Sequence, residues 1–187
     1  NPERMGLLRG LGFNRVSFGV QDFDLEVQKG INRIQPLSMI NDLMESARLY
    51  KFKSVNLDLI YGLPHQTVSS VLKTVEIVIG LSPDRISLFN YAHLPARFKA
   101  QGLLDEAALP PPEEKLRILC AAAGKLMQAG YVHIGMDHFA KPDDELAVAY
   151  AEGELHRNFQ GYTTNKSADL IGLGVSSISQ VGDVYCQ

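Results

Sequence analysis

The sequence repeats a pattern in which an alternating segment is followed by a stretch with helical spacing. Apolar and polar residues alternate, with the two-residue period of a β-strand, along 15–21 and along the first part of 54–64, and 85–91 predicts another strand. Apolar residues recur at helical spacing in three others: 38–47, 67–79 and 113–129. Strands that alternate with helices are typical of a parallel sheet built from βα units. Right-handed crossovers would curl such a sheet into a partial barrel or a doubly wound layer, so the predicted class is α/β.

Two features at the N-terminal side refine this prediction. Met5, Leu8 and Leu11 form an apolar stripe that predicts a first short helix. Ser38 and Thr67 precede apolar helical runs, so each is expected to cap a helix with its side-chain hydroxyl. A polar connection without regular structure is expected between the first strand and the helix that Ser38 caps.

The helix over 113–129 and the segment after it complete the expected pattern. This helix is expected to bury one stripe: Leu116, Leu119, Cys120, Ala123 and Met127. Cys120 is therefore expected to be an inert core residue. The segment 131–136 predicts a further strand of the parallel sheet.

The segment 54–64 carries a carboxylate on one face of its predicted strand. Val55, Leu57 and Leu59 fall on one face, whereas Asn56 and Asp58 fall on the other. A buried carboxylate is costly unless donors surround it, so Asp58 needs hydrogen-bond partners. One interpretation is a structural carboxylate that a neighbouring strand or loop satisfies. The other is a ligand contact, because ligands of α/β folds bind at the carboxyl ends of strands.

Composition limits the class of protein. The chain has 187 residues, 45% of them hydrophobic and 21% charged, with a formal net charge of -3. These values predict a globular domain and argue against a general surface for nucleic acid or an anionic membrane. No apolar run is long enough to cross a bilayer and no signal peptide is apparent, so a cytoplasmic location is expected.

The sequence offers few ligands for a metal ion. Cys120 and Cys186 are the only two cysteines, which excludes a disulfide framework and a thiolate metal site built from this chain alone. His133, Asp137 and His138 are close in sequence, but neighbouring residues of a strand face opposite ways. We therefore expect no metal site among these residues.

Several blocks of the sequence together resemble one enzyme family along the whole chain. The blocks are Ser17 to Phe23, Asn32-Arg33, Leu57 to Pro64, Phe89 to Pro95, Gly135 to Ala140 and His156 to Thr164. In this order they are similar to the oxygen-independent coproporphyrinogen III oxidases, radical S-adenosylmethionine (SAM) enzymes of haem biosynthesis. The resemblance implies a partial parallel (β/α) barrel and places residues 1–187 in one domain with no internal boundary.

The resemblance also implies an activity and its cofactors. In the family, a reduced 4Fe-4S cluster cleaves SAM, and the resulting radical removes a hydrogen atom from a propionate β-carbon. Two propionates of coproporphyrinogen III become the vinyl groups of protoporphyrinogen IX, with loss of carbon dioxide. Two SAM molecules and an electron donor for the cluster are implied, as is a monomer that binds neither nucleic acid nor membrane. The family's CxxxCxxC cluster motif does not occur here, so the chain is expected to be a central part whose missing strands and cluster cysteines lie upstream.

Seven positions match SAM contacts of the family, and no catalytic residue is implied. One molecule is expected to contact Gln21, Arg33, Asp58 and Ala92, and the other Ile178, with Phe159 and Gln160 as further candidates for the same pocket. SAM carries hydroxyls, an ammonium and a carboxylate, which suit an acid, an amide and a guanidinium. Surface exposure is the alternative for Arg33, and core packing is the alternative for Phe159.

Two other functions are compatible with the same motifs. A haem-binding or haem-delivery relative would share the Tyr61-Gly62-Leu63-Pro64 block. The isolated chain could also be an inactive structural portion, since it lacks the cluster cysteines. Tight haem binding without turnover would distinguish the first of these from an oxidase.

Overall fold

The computed structural model describes residues 2–166 and 168–187. Among these residues, six α-helices occur in the order α1 (Pro2–Gly10), α2 (Leu25–Gly30), α3 (Leu37–Leu49), α4 (Val68–Leu81), α5 (Pro112–Gln128) and α6 (Glu145–Glu152). Two short 3-10 helices, Lys99–Leu103 and Glu106–Ala108, lie between α4 and α5. The five strands of the main sheet are β1 (Arg15–Gln21), β2 (Ser54–Tyr61), β3 (Arg85–Asn90), β4 (Val132–Gly135) and β5 (His138–Ala140). Four three-residue strands follow, β6 (His156–Asn158), β7 (Gly161–Thr163), β8 (Ser179–Val181) and β9 (Val184–Cys186).

The main sheet has the order β1-β2-β3-β5-β4. Strands β1, β2 and β3 are parallel, which confirms the predicted βα pattern for the first three strands. Strand β5 is antiparallel to both β3 and β4, so β4 runs in the same direction as β1, β2 and β3. The predicted strand over 131–136 is therefore present as β4, but it pairs with β5, a strand that the prediction missed, and not with β3. Gly135 at φ 135° and Met136 at φ 46° reverse the chain there, because their left-handed backbone forms a tight turn between β4 and β5.

One face of the sheet is buried under helices. Val55, Leu57 and Leu59 point into the largest hydrophobic cluster, as their alternation predicts. Residues of α1, α3, α4 and α5 complete this cluster. The opposite face of β2, which carries Asn56 and Asp58, has no helix of this cluster against it and is only partly buried. The helices therefore stabilise the sheet from one side and leave the polar side open for a ligand.

Helix α5 buries a stripe that agrees with the predicted one only in part: Leu119 and Ala123 are partly buried and pack against the core, whereas Leu116, Cys120 and Met127 are exposed. Ile118, Ala122 and Leu126 are fully buried at four-residue spacing, whereas Leu116 is 61% exposed. Cys120 is exposed, so its predicted place in the core is wrong. Each residue turns the helix by about 100°, so a shift of one or two residues selects another face. The helix offers several apolar stripes, and packing against α4 and the sheet decides which is buried.

Of the two predicted N-terminal caps, Thr67 and Ser38, the structure confirms only Thr67. Thr67 caps α4 as predicted, since its hydroxyl accepts from the backbone of Ser70. Ser38 is not a cap, because α3 begins one residue earlier after Pro36, which has no capping side chain. The connection before it contains α2, which the prediction missed and which Asp24 caps. Helix α1 ends before Leu11, which lies outside it and is largely exposed.

The last part of the chain is built from two small antiparallel hairpins. Strands β6 and β7 form one, and β8 and β9 form the other. The second hairpin contains no buried residue, so it contributes little to the core. Among the described residues, no helix is both long and apolar enough to cross a membrane.

Candidate ligand-binding site

A cavity of about 570 Å³ lies against the sheet face that the helices leave open. Its floor consists of side chains from β1, β2 and β3, including Asn56, Asp58 and Ser87. The β6–β7 hairpin forms a wall through Gln160 and Tyr162. The site thus combines the polar side of the parallel strands with a late segment of the chain.

Asp58 lies at the centre of a hydrogen-bond network on the cavity floor. Ser17 Oγ donates to one of its oxygens over 2.8 Å, and Asn56 Nδ2 donates to the other over 2.7 Å. Asn56 also donates to Ser87 Oγ over 3.1 Å. Ser17 of the neighbouring strand β1 and Asn56 of β2 itself therefore provide the partners that Asp58 requires, and the first agrees with the structural interpretation. A carboxylate oxygen has two lone pairs, so each oxygen of Asp58 can still accept a second hydrogen bond from a ligand.

The carboxyl end of β1 brings Gln21 and Arg33 together. Arg33 donates to the carbonyl of Gly19 over 2.8 Å. A Cβ on Gly19 would lie 2.8 Å from Gln21 Nε2 and 3.2 Å from Arg33 Nη2, so glycine leaves the space that both side chains occupy. Arg33 is exposed, as expected if it is a surface arginine. Its guanidinium nevertheless lies beside Gln21.

Gln21 has a strained backbone and an unsatisfied side chain. Its φ is 67°, and the amide of Asp22 donates to the carbonyl of Val20 over 2.9 Å, which closes a tight turn around Gln21. The side-chain oxygen Oε1 is buried and has no partner among the described residues. Buried polar atoms are normally hydrogen-bonded, so this oxygen indicates a place for a donor from a ligand.

The other predicted contacts lie apart from this pair. Ala92 is exposed just after β3, and its carbonyl accepts from Gln101 over 3.0 Å. Ile178 is half-buried immediately before β8. Phe159 is 40% exposed and packs edge-on against Tyr185, so core packing is not its role. Of the seven predicted positions, Asp58 and Gln160 line the cavity, Gln21 and Arg33 meet at the end of β1, and the remaining three lie elsewhere.

A second polar cluster, which the sequence analysis missed, lies behind the end of β1. Asp22 is 1% exposed and accepts hydrogen bonds from Thr74 Oγ1 over 2.5 Å, Gln66 Nε2 over 2.6 Å and the Asp24 amide over 2.8 Å. Burial raises the pKa of Asp22 above its usual value of 3.8, even though these hydrogen bonds oppose the shift. The only signal of this cluster in the sequence is an acidic residue, Asp22, directly after the end of a predicted strand.

The Asp22 cluster also fixes the loop that follows β2. The side-chain Nε2 of Gln66 donates to the carbonyl of Ile60 over 2.9 Å, and its Oε1 accepts from the backbone amide of Leu63 over 2.9 Å. The loops at the carboxyl ends of β1 and β2 are therefore tied to each other through Asp22 and Gln66. Gln21 directly precedes Asp22, so the network holds the backbone next to it.

The loop after β3 has its own chain of contacts. The hydroxyl of Tyr91 lies 3.1 Å from His93 Nδ1, and His93 Nε2 lies 3.0 Å from a carboxylate oxygen of Glu106. Lys115 donates to the carbonyl of Tyr91 over 3.3 Å. These contacts hold the segment around Ala92 against the end of the sheet.

The described part of the chain contains no cluster of three or more histidine, cysteine or acidic residues that could hold a metal ion. Cys120 and Cys186 are both free and exposed.

Comparison with known proteins gives close relatives for nearly the whole chain. The chain is 59% identical over 183 residues to the oxygen-independent coproporphyrinogen III oxidase of Pseudomonas aeruginosa, which covers 98% of the chain and 40% of the relative. It is 57% identical over 180 residues to the corresponding enzyme of Escherichia coli, covering 96% of the chain and 39% of the relative. No protein-family model matches the chain. The chain spans about two fifths of the length of these curated relatives.

A solved structure supports the same resemblance. The structure of coproporphyrinogen III oxidase from Escherichia coli, described as a radical SAM enzyme, matches with a TM-score of 0.93 at 55% sequence identity. The match covers 99% of this chain and 43% of that chain. The α/β class with a mostly parallel central sheet is therefore confirmed. Over nearly its whole length, the chain is similar in sequence and in fold to a part of the radical SAM oxygen-independent coproporphyrinogen III oxidases, as its motifs predict.

Proposed function

We propose that this chain is part of an enzyme that converts coproporphyrinogen III to protoporphyrinogen IX without oxygen, in haem biosynthesis. The observation that supports this most strongly is the identity of 55 to 59% with coproporphyrinogen III oxidases along almost all of the chain. The reaction is an oxidative decarboxylation of two propionates. When bound together, SAM and a reduced 4Fe-4S cluster supply a carbon radical that removes a hydrogen atom from the propionate β-carbon.

The residues at the end of β1 and on the cavity floor fit SAM. The unpartnered Gln21 oxygen is buried and needs a donor, which an adenine amine or a hydroxyl provides. Asp58 has acceptor capacity left for a hydroxyl or an ammonium group. Arg33 is exposed beside Gln21, where its guanidinium would hold a carboxylate. These three residues would bind and orient one SAM molecule together with the backbone near Ala92.

A second SAM molecule would contact the later part of the chain. Ile178 would provide an apolar or backbone contact, and Gln160 would reach it from the hairpin that lines the cavity. Phe159, which is 40% exposed, would provide an apolar contact in the same pocket. Two SAM molecules per enzyme is part of the proposal.

Residues outside this chain would hold the cluster. Cys120 lies on α5 and Cys186 on β9, and both are exposed, so neither joins a set of cluster ligands among the described residues. We therefore expect the isolated chain to be unable to cleave SAM. An electron donor would reduce the cluster in the longer enzyme.

Anaerobic turnover of the full-length protein tests the proposal. The cluster is reconstituted, and coproporphyrinogen III, SAM and a chemical reductant are added. Chromatography of the oxidised porphyrins is expected to show the divinyl product, and omission of SAM is expected to abolish it. Tight haem binding without any divinyl product would contradict the proposal and favour a haem-delivery protein.

A further inference from the structure

Four residues form a straight row across the main sheet. Gly19 of β1 pairs with Asp58 of β2, Asp58 pairs with Ser87 of β3, and Ser87 pairs with His138 of β5. Neighbouring strands lie about 4.8 Å apart, so the row is about 14 Å long. Arg33 lies over its Gly19 end, and the row crosses the open face of the sheet.

His138 ends the row with an unsatisfied ring. It lines the cavity, yet its Nδ1 is buried and has no hydrogen-bond partner among the described residues. Phe89 and Tyr162 meet the ring edge-on, with centroids 5.9 Å and 5.4 Å away. These aromatic contacts position the ring and leave Nδ1 without a hydrogen-bond partner among the described residues. Buried polar atoms are normally hydrogen-bonded, so this nitrogen indicates a place for a polar group of a ligand.

The charges around the cavity select the kind of group that His138 can bind. Arg85 pairs with Asp144 over 2.9 Å and with Glu145 over 3.0 Å, and Arg15 also pairs with Glu145. Among the described residues that line the cavity, each arginine is therefore already neutralised. Burial lowers the pKa of His138, so its ring is neutral near pH 7. This end of the row suits a neutral group that donates and accepts hydrogen bonds, and it does not suit a carboxylate.

We propose that His138 binds the nucleoside end of a SAM molecule that lies across this row, with its carboxylate toward Arg33. An elongated ligand with a carboxylate at one end and a neutral base and ribose at the other matches the order of groups along the row. Asp58 then accepts hydrogen bonds from the middle of the ligand. The inference rests on the proposed SAM binding, and it assigns an orientation and a further contact.

The test measures binding of SAM to the full-length protein and to two histidine variants. His138→Phe keeps an aromatic ring between Phe89 and Tyr162 but removes both nitrogens. His133→Phe is the matched control, because His133 lies on the neighbouring strand, stacks on Phe139 and is exposed. In equilibrium dialysis with labelled SAM, His138→Phe is expected to weaken one binding step about tenfold, as loss of one buried hydrogen bond does. His133→Phe is expected to change binding less than twofold.

A spectroscopic measurement on the unmutated protein is independent of folding defects. In ¹⁵N NMR of histidine-labelled protein, addition of SAM is expected to shift the ring nitrogens of His138 and leave those of His133 unchanged. Unchanged SAM affinity in His138→Phe, or unchanged His138 signals when SAM binds, would overturn this inference and leave the proposed function intact. Absence of SAM binding to the unmutated protein would overturn both.

Discussion

Asp22 and Asp58 are carboxylates near the carboxyl ends of two adjacent strands, and their surroundings differ. Asp22 is closed off from solvent and accepts three hydrogen bonds from the protein. Asp58 lines a cavity and accepts one at each oxygen. Buried polar groups whose hydrogen bonds are all made within the protein stabilise a fold. Polar groups in a cavity that can accept further hydrogen bonds can bind a ligand. The comparison therefore separates a structural cluster at the end of β1 from a candidate ligand site on the open face of the adjacent strand β2.

Removal of the buried Asp22 carboxylate is expected to have the largest effect, a loss of stability. Asp22→Ala leaves the Thr74 hydroxyl and the Gln66 amide without their acceptor inside the protein. We expect a loss of about 3 kcal/mol in the free energy of unfolding, since buried unpaired donors are costly. Urea unfolding followed by circular dichroism measures it. A loss below about 0.5 kcal/mol would show that water replaces the carboxylate and that the cluster is not structural.

The same substitution at the open carboxylate is expected to change binding more than stability. In Asp58→Ala, Asn56 still donates to Ser17 and Ser87, so the free energy of unfolding should change by less than about 1 kcal/mol. SAM affinity of the full-length protein should fall by about 2 kcal/mol, or about 30-fold, because ligand donors lose their acceptor. Calorimetric titration measures the affinity. A variant that unfolds easily but binds SAM normally would place Asp58 in the structural class.

Substitution of Gly19, at the β1 end of the row, is expected to have a smaller effect on SAM affinity. The Cβ of Gly19→Ala would lie 2.8 Å from Gln21 Nε2, so the Gln21 and Arg33 side chains must move. Both are flexible, and we expect a loss of about 1 kcal/mol in SAM affinity, or about fivefold. Gly80→Ala is a suitable control, because no atom lies within 4 Å of the added carbon. Equal affinities of the two variants would show that Gln21 and Arg33 do not contact SAM.

The pH dependence of stability provides a further test of the structural role of Asp22. The pKa of Asp22 is raised in the folded protein, so folding favours its protonated form. Protonated Asp22 therefore contributes its full stabilisation below about pH 3.8, the pKa of the carboxyl in the unfolded chain. This contribution is lost as the pH rises through the higher pKa of the folded protein. Asp22→Asn cannot ionise, so its free energy of unfolding relative to the unmutated protein should increase between pH 4 and pH 7. Urea unfolding at both values measures this difference, and a constant difference would contradict the raised pKa.

Local patterns predicted the strands well because one face of each is buried. The alternation in 54–61 correctly assigned Leu57 to the core and Asp58 to the open face. For α5 the periodicity was only partly successful: Leu119 and Ala123 pack against the core as predicted, but tertiary packing centred the buried stripe on Ile118. It also missed the β4–β5 reversal, which depends on the left-handed backbone of Met136.

The candidate site was only partly accessible to sequence reasoning. The motifs identified Gln21, Arg33 and Asp58, and the fold brings the first two together beside Gly19. The row to His138 could not be predicted, since it depends on the register between β3 and an antiparallel strand. The Asp22 cluster depends on contacts across 44 and 52 residues of sequence, which no local pattern reveals.

The number of SAM molecules that the full-length protein binds tests the central claim most directly. Equilibrium dialysis with labelled SAM would be performed on the unmutated protein and on the double variant Gln21→Ala/Asp58→Ala, with urea unfolding to confirm that the variant is folded. We predict two molecules per protein for the unmutated protein and one for the double variant. Two molecules bound to both proteins with equal affinity would contradict the assignment of these residues to a SAM site.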